Sequence, residues 1–154
     1  MKYTNPLQLI LLPVLMLAAG CASSGPNKVS GSTVPFETLF HGTQSGIREA
    51  GFSVITSQEE YADLIERMDR DLPEVDFTAR SVAAVFAGEK STGGYSVTIT
   101  GIRREPSGLV ADFVLKEPSE GSMVVQVITA PGHVVSFPRA DENLIFREIE
   151  SGSE

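Results

Sequence analysis

Few side chains in this chain are of the kinds that do chemistry, and their spacing limits what they can do. The two histidines, His41 and His133, each stand beside a glycine, and both segments read as loops. Neither belongs to a His-X-His or His-Glu-X-X-His pattern, so the short fixed spacing that offers two ligands to one ion is absent and no metal site is expected. No Gly-X-Ser-X-Gly turn lifts a serine into position as a nucleophile. Glu59 and Glu60 are adjacent carboxylates, but at a helix start they serve the helix dipole before any acid–base role. The stretch Gly88-Glu-Lys-Ser-Thr-Gly-Gly-Tyr95 has phosphate-loop letters in the wrong order. A phosphate loop runs Gly, four residues, Gly-Lys-Ser/Thr and then a helix, whereas here a strand-like run follows Gly94 and Tyr95. Nucleotide binding, a catalytic residue and a cofactor are therefore all unexpected, and the chain is expected not to be an enzyme. Two readings of this loop stay open: a hairpin turn needing positive φ at Gly93 or Gly94, or a surface displaying Lys90, Ser91, Thr92 and Tyr95 to a partner. Ala130-Pro-Gly-His133 with Val134, Val135, Phe137 and Arg139 forms a second candidate, a corner that Pro138 suits to a sheet edge.

The elements that position these loops follow from periodicity. Phe36 to His41 and Phe52 to Thr56 read as strands separated by a Gly-, Ser- and Thr-rich loop. Ser57 and Glu60 form a capping box, and Tyr61, Leu64, Ile65 and Met68 fall on one helical face, a stripe explained by core packing. Arg67 and Arg70 fit the last turn, and Pro73 follows it. Ser81 to Ala87, Tyr95 to Arg104, Leu109 to Lys116, Met123 to Thr129, Val134 to Pro138 and Leu144 to Ile149 read as strands. Alternation puts Tyr95, Val97 and Ile99 on one face. Turns at Thr92-Gly-Gly94, Pro106-Ser-Gly108, Pro118-Ser-Glu-Gly121 and Ala130-Pro-Gly132 suggest hairpins. The expected domain, residues 36–150, is α+β: mostly antiparallel β-sheet with one amphipathic helix packed on it.

The one cysteine carries a different chemistry. Lys2 is a short basic region, Leu7 to Leu17 is apolar, and Ala18-Ala-Gly20 supplies small residues before Cys21. An apolar run of about a dozen residues broken by Pro13 is shorter than the roughly 18 to 20 a spanning helix needs. Residues 1–20 therefore read as a secretory signal, and Leu17-Ala-Ala-Gly-Cys21 resembles the bacterial lipobox, in which the thiol takes a diacylglycerol. Its leucine sits one place further from the cysteine than in the common version. Each buried methylene contributes about 0.8 kcal/mol, so two or more acyl chains anchor stably. Ala22 after the cysteine, by analogy with lipoprotein sorting, points to the outer membrane of a Gram-negative cell envelope. Residues 22–35 are small and polar and read as a tether reaching roughly 20 Å.

Charge narrows the partners. Twenty acidic and twelve basic residues give a net charge of −8, and removal of Lys2 with the signal takes this to −9. Such a surface repels phosphate backbones and anionic headgroups, so no nucleic-acid partner is expected, and membrane attachment falls to the lipid anchor.

Four segments bear a resemblance. Leu72-Pro-Glu-Val-Asp-Phe77, Val82-Ala-Ala-Val-Phe-Ala-Gly88, Ser91-Thr-Gly-Gly-Tyr-Ser-Val97 and Ile128-Thr-Ala-Pro-Gly-His-Val-Val-Ser-Phe-Pro-Arg139 stand in the order seen in the PrcB carboxy-terminal domain family, over residues 72–139. Ser91 departs from the family where a proline commonly precedes the threonine. The resemblance implies a lipoprotein subunit that binds and stabilises a secreted or envelope protease without cutting anything. The residues expected to meet such a partner, read from the displayed loop and the corner, are Lys90, Ser91, Thr92, Gly93, Gly94 and Tyr95, joined by His133, Phe137 and Arg139. Thr92-Gly-Gly-Tyr95 and the Phe137-Pro-Arg139 corner are also similar in loop chemistry to the wedge loops of chagasin-like protease inhibitors. Inhibition by loop insertion and a structural envelope role are the alternatives.

Overall fold

Val82 to Ala87 is an unbroken apolar run, and a strand of that kind needs cover on both faces. The computed structural model describes residues 31–150 and supplies that cover. The expected signal peptide (1–20), the expected lipidation site Cys21 and residues 22–30 of the expected tether lie outside the described residues. The elements are β1 (Ser32–Val34), β2 (Glu37–Gly42), β3 (Ala50–Ile55), α1 (Gln58–Met68), β4 (Arg80–Ala87), β5 (Ser96–Glu105), β6 (Gly108–Lys116), β7 (Gly132–Pro138) and β8 (Leu144–Glu148). They form two four-stranded sheets, β1-β5-β6-β8 and β2-β7-β4-β3. Among the described residues every pairing of named strands is antiparallel except β6 with β8. The fold is α+β, as the periodicity predicts.

Two cores share strand β4. Ala83, Val85 and Ala87 join Val97, Ile99, Ile102, Leu109, Ala111, Val135 and Phe137 between the sheets. Val82, Ala84 and Phe86 point the other way, into a second core with Tyr61, Leu64 and Met68 of α1. Burying each large side chain contributes about 1.5–3 kcal/mol, so the helix is held chiefly by this stripe. Its cap is half as predicted. The Ser57 hydroxyl accepts from the Glu60 amide at 3.3 Å, but the Glu60 carboxylate takes the Thr56 amide at 2.8 Å instead of that of Ser57. Those bonds hold the Glu60 carboxyl below its usual pKa, the Thr56 amide first among them. The helix also stops at Met68, with Asp69 left-handed at φ 48°. Arg70 therefore lies past the last turn, its guanidinium 4.4 Å from the Phe40 ring centre and donating to the Gln44 carbonyl at 2.6 Å.

Several expectations are corrected. Residues 32–34 are not tether: β1 pairs with β5 from Ser32 to Val34, so the ordered domain starts before Phe36. Among the described residues only the β5–β6 connection is a hairpin between consecutive strands; the Thr92-Gly-Gly94 and Pro118–Gly121 turns lie on connections that cross between the sheets. β7 is central, flanked by β2 and β4, because Pro138 occupies its final register position, where its lacking N–H disrupts no further pairing. Met123 to Thr129 is not a strand. Its β-branched residues suit a pleated surface, but its backbone joins neither sheet, and only Thr129 makes a bridge, to Lys90. In β5 a register shift between Ile99 and Gly101 reverses the alternation, which is why Ile102 is buried along with Val97 and Ile99.

The outer face of the β1-β5-β6-β8 sheet holds a charged ladder. Asp112 on β6 is fully buried between Arg103 of β5 and Arg147 of β8. Arg147 donates to Asp112 at 2.6 Å and reaches Glu105 at 3.0 Å.

Candidate functional site

Three loops interlock at one end of the sandwich. Lys90 and Thr129 exchange backbone bonds, Lys90 N–H to Thr129 O at 2.7 Å and Thr129 N–H to Lys90 O at 2.9 Å. Gly93 N–H donates to Val125 O at 2.9 Å, and the Thr129 hydroxyl donates to Thr92 O at 3.0 Å. The loop after β2 closes the set: Ser45 N–H donates to Ala130 O and Ala130 N–H to Thr43 O, each at 2.8 Å, while the Gln44 amide donates to Ile128 O at 3.0 Å. Gly94 makes this closeness possible. Its φ is +91°, and a Cβ there would lie 2.9 Å from the Pro118 side chain and 3.2 Å from that of Val124. Gly93 has no such requirement, so the positive-φ turn falls on Gly94.

The predicted loop residues therefore form a base more than a tip. Ser91 and Gly94 are exposed, but Lys90, Thr92, Gly93 and Tyr95 are half-buried, and the Lys90 ammonium lies 5.2 Å from the Tyr95 ring centre. What projects from that base is the neighbouring segment. Met123 is fully exposed, Val125 72%, Ile128 60% and Val127 45%. Four large apolar side chains exposed within six residues form the kind of patch that marks an interaction site. The sequence run Met-Val-Val-Gln-Val-Ile carries them in plain view, but an exposed apolar run has the same letters as a buried strand.

The second predicted group separates. Phe137 is 2% exposed and packs in the intersheet core, so it is unavailable to a partner. His133 is likewise buried, at 3% exposure. Its Nδ1 accepts the Ile99 N–H at 2.8 Å from the opposite sheet, so the proton sits on Nε2, which donates to the Thr38 hydroxyl at 3.1 Å. Both histidines are in strands, paired across β2 and β7, with ring centres 4.4 Å apart. His41 Nε2 lies 3.1 Å from Val97 O and 3.0 Å from the Thr98 hydroxyl. Burial, and secondarily the neighbouring His41, pushes the His133 pKa from 6.5 down to about 4. Arg139 is exposed, but its guanidinium bonds the Phe77 carbonyl at 2.6 Å and that of Thr56 at 3.2 Å, locking the corner. The contacts of His133 and Phe137 are thus structural for a reason hidden from the sequence, that β7 is a central strand, and Arg139, just past its end, ties the corner to Phe77 and Thr56. Among the described residues no group of three His, Cys, Asp or Glu is placed to hold a metal ion, and no helix is long and apolar enough to cross a membrane.

The interlocked loops and the strands around them fall inside a recognisable unit. No curated protein and no solved structure matches the chain significantly. Residues 81–138, which span from the second residue of β4 to the end of β7 and include both the Lys90–Tyr95 loop and the exposed apolar segment, match the family model described as PrcB C-terminal. That segment is what this chain has in common with the PrcB C-terminal family.

Proposed function

We propose that this chain is a lipid-anchored, non-catalytic binding subunit of the cell envelope, one that stabilises or assembles a protease complex. The observation that carries the reading is the exposed apolar segment from Met123 to Ile128, fixed to a hydrogen-bonded base of three loops. Rigid backing matters, because a surface ordered before binding loses less conformational entropy on association. Placement of the patch within the family segment, and the lipobox at Cys21, support the same reading. In this proposal the acyl chains on Cys21 hold the domain at the outer membrane and the apolar patch holds the partner beside it.

The test is site-specific. A photo-cross-linker at Met123 or Val125 of the full-length chain in its native envelope should capture one stoichiometric protein, and that protein should be a protease with a shorter half-life when the chain is deleted. Met123→Asp with Val125→Asp should weaken the association by at least about tenfold, since it places two charges in an apolar contact. Capture of no stoichiometric partner at either position would refute the proposal.

A further inference from the structure

The two sheets have four edges, and three are protected in the usual ways. β1 is three residues long. β2 carries Glu37 and a register shift between Thr38 and Phe40. β8 carries Arg147 and Glu148. The remaining edge, β3, reads Ala-Gly-Phe-Ser-Val-Ile, with no charge and no proline, and its six residues pair with β4 without a break. Phe52 in its middle is 62% exposed. Ala87 of β4 donates its N–H to Pro131, so in the alternating antiparallel pattern Phe86, Ala84 and Val82 bond toward β3. Their partners Gly51, Ser53 and Ile55 close that ladder, which leaves the amides and carbonyls of Ala50, Phe52 and Val54 turned outward. Among the described residues no backbone group pairs with them.

Beside this edge lies a cleft of about 300 Å³ between the sheets, walled by Phe52, Val85, Val97, Phe113 and Leu115, with one cation, Lys90, and one carboxylate, Glu148, also in its lining. Its size suits one or two apolar side chains. Past its mouth the charge is acidic, with Glu117, Glu148 and Glu150 grouped around Leu115 and Ile149. A free edge supplies backbone bonds to an added strand, a neighbouring apolar cleft selects alternate side chains, and an acidic border selects basic residues.

We propose that β3 is a strand-addition site, and that the partner's bound element is an extended segment, apolar at alternate positions and basic at one end. Resting on the protein-binding reading above, this names the form of the partner. The segment pairs antiparallel to β3, sets an apolar side chain in the cleft beside Phe52, and brings its basic carboxyl end to Glu117, Glu148 and Glu150. The antiparallel sense places that end by Ala50, the end of β3 that lines the cleft.

The probe is a fluorescein-labelled, amidated octapeptide, Thr-Val-Thr-Val-Thr-Val-Lys-Lys, titrated by anisotropy into the full-length chain in mild detergent. Saturable binding is expected, weakened at least about tenfold when the two lysines are replaced by glutamates. Phe52→Pro removes one outward N–H without touching the β4 ladder, and Phe52→Lys installs the charge that other edges carry; each should weaken binding at least about tenfold while the unfolding transition stays cooperative. The Lys variant keeps the test decisive if the Pro variant unfolds. No binding by the wild-type chain, wild-type affinity in both variants, or indifference to the peptide's charge would overturn the proposal. So would a chain that sediments as a dimer and becomes monomeric with Phe52→Lys, since a second copy would then be the occupant of the edge. The cross-link at Met123 reads the binding proposal separately: a partner captured there while the peptide fails would sink the strand-addition site alone.

Discussion

Acid should loosen this domain through His133. Its Nδ1 accepts the Ile99 amide, a bond that joins the two sheets across their interior. Protonating that nitrogen would set one N–H against another in a site with 3% exposure. The folded pKa near 4 against 6.5 in the unfolded chain means that the unfolded state binds more protons between those values. Stability from this group is therefore complete above about pH 6.5 and falls as pH drops toward 4. Linkage gives a loss of about 2 kcal/mol between pH 7 and 5, and about 3 kcal/mol by pH 4, for the drop from 6.5 to about 4. Carboxylates titrate in the same range, so the measurement is a difference. Urea unfolding of the full-length chain is followed at pH 7, 5 and 4 beside His133→Asn, whose side-chain carbonyl can still accept from Ile99. The variant should be less stable at pH 7 because it fills the site less well, and the wild-type advantage should shrink by about 2–3 kcal/mol toward pH 4. An advantage that stays constant with pH would show that His133 is not held neutral by burial, and the reasoning would fail.

Three other perturbations have worked outcomes. Asp112→Asn leaves Arg103 and Arg147 without their shared carboxylate; because those side chains stay 24% and 40% exposed, the cost should sit at the low end for a buried pair, about 3 kcal/mol by chemical denaturation. In the loop base, Lys90→Ala with Thr92→Ala should change stability by no more than about 0.5 kcal/mol, whereas Gly94→Val meets both a left-handed φ and the Pro118 side chain and should cost about 2 kcal/mol or more. Equal unfolding midpoints for the two would show that the close approach at Gly94 is not needed. Cys21→Ser should release the chain from the membrane fraction without altering its unfolding transition; a variant that still sediments with membranes would refute the lipid anchor.

What could be read in advance was local, and what could not was pairing. The α1 start was legible because Ser57 and Glu60 lie three residues apart and the Tyr61–Met68 stripe repeats within one helix. β4 was legible because a run buried on both faces needs no partner to be recognised as apolar. The pairing of His41 with His133 is a register between strands 92 positions apart, and nothing near either residue announces it. A glycine beside each histidine suggested a loop, yet Gly42 and Gly132 are themselves paired residues of β2 and β7. Gly132 is there for closeness: a Cβ would lie 2.7 Å from the Phe86 ring and 2.8 Å from Ser45.

The same limit explains why the candidate surface moved. Val134 and Val135 are fully buried, while Val125 and Val127 are exposed at 72% and 45%, and the two pairs are drawn from the same residue type within a dozen positions. Hydrophobic letters report a preference for leaving water without saying what will receive them. Val134 and Val135 are received by the two cores on either face of β7. For Val125 and Val127 the described chain supplies no receiving surface, because Lys90, Thr129 and Gly93 spend the local hydrogen bonds on holding the segment against the loops and not within a sheet. Exposed apolar area of that kind lowers its free energy when it is covered, so the residues that looked most like core are the ones on which the proposed binding surface rests.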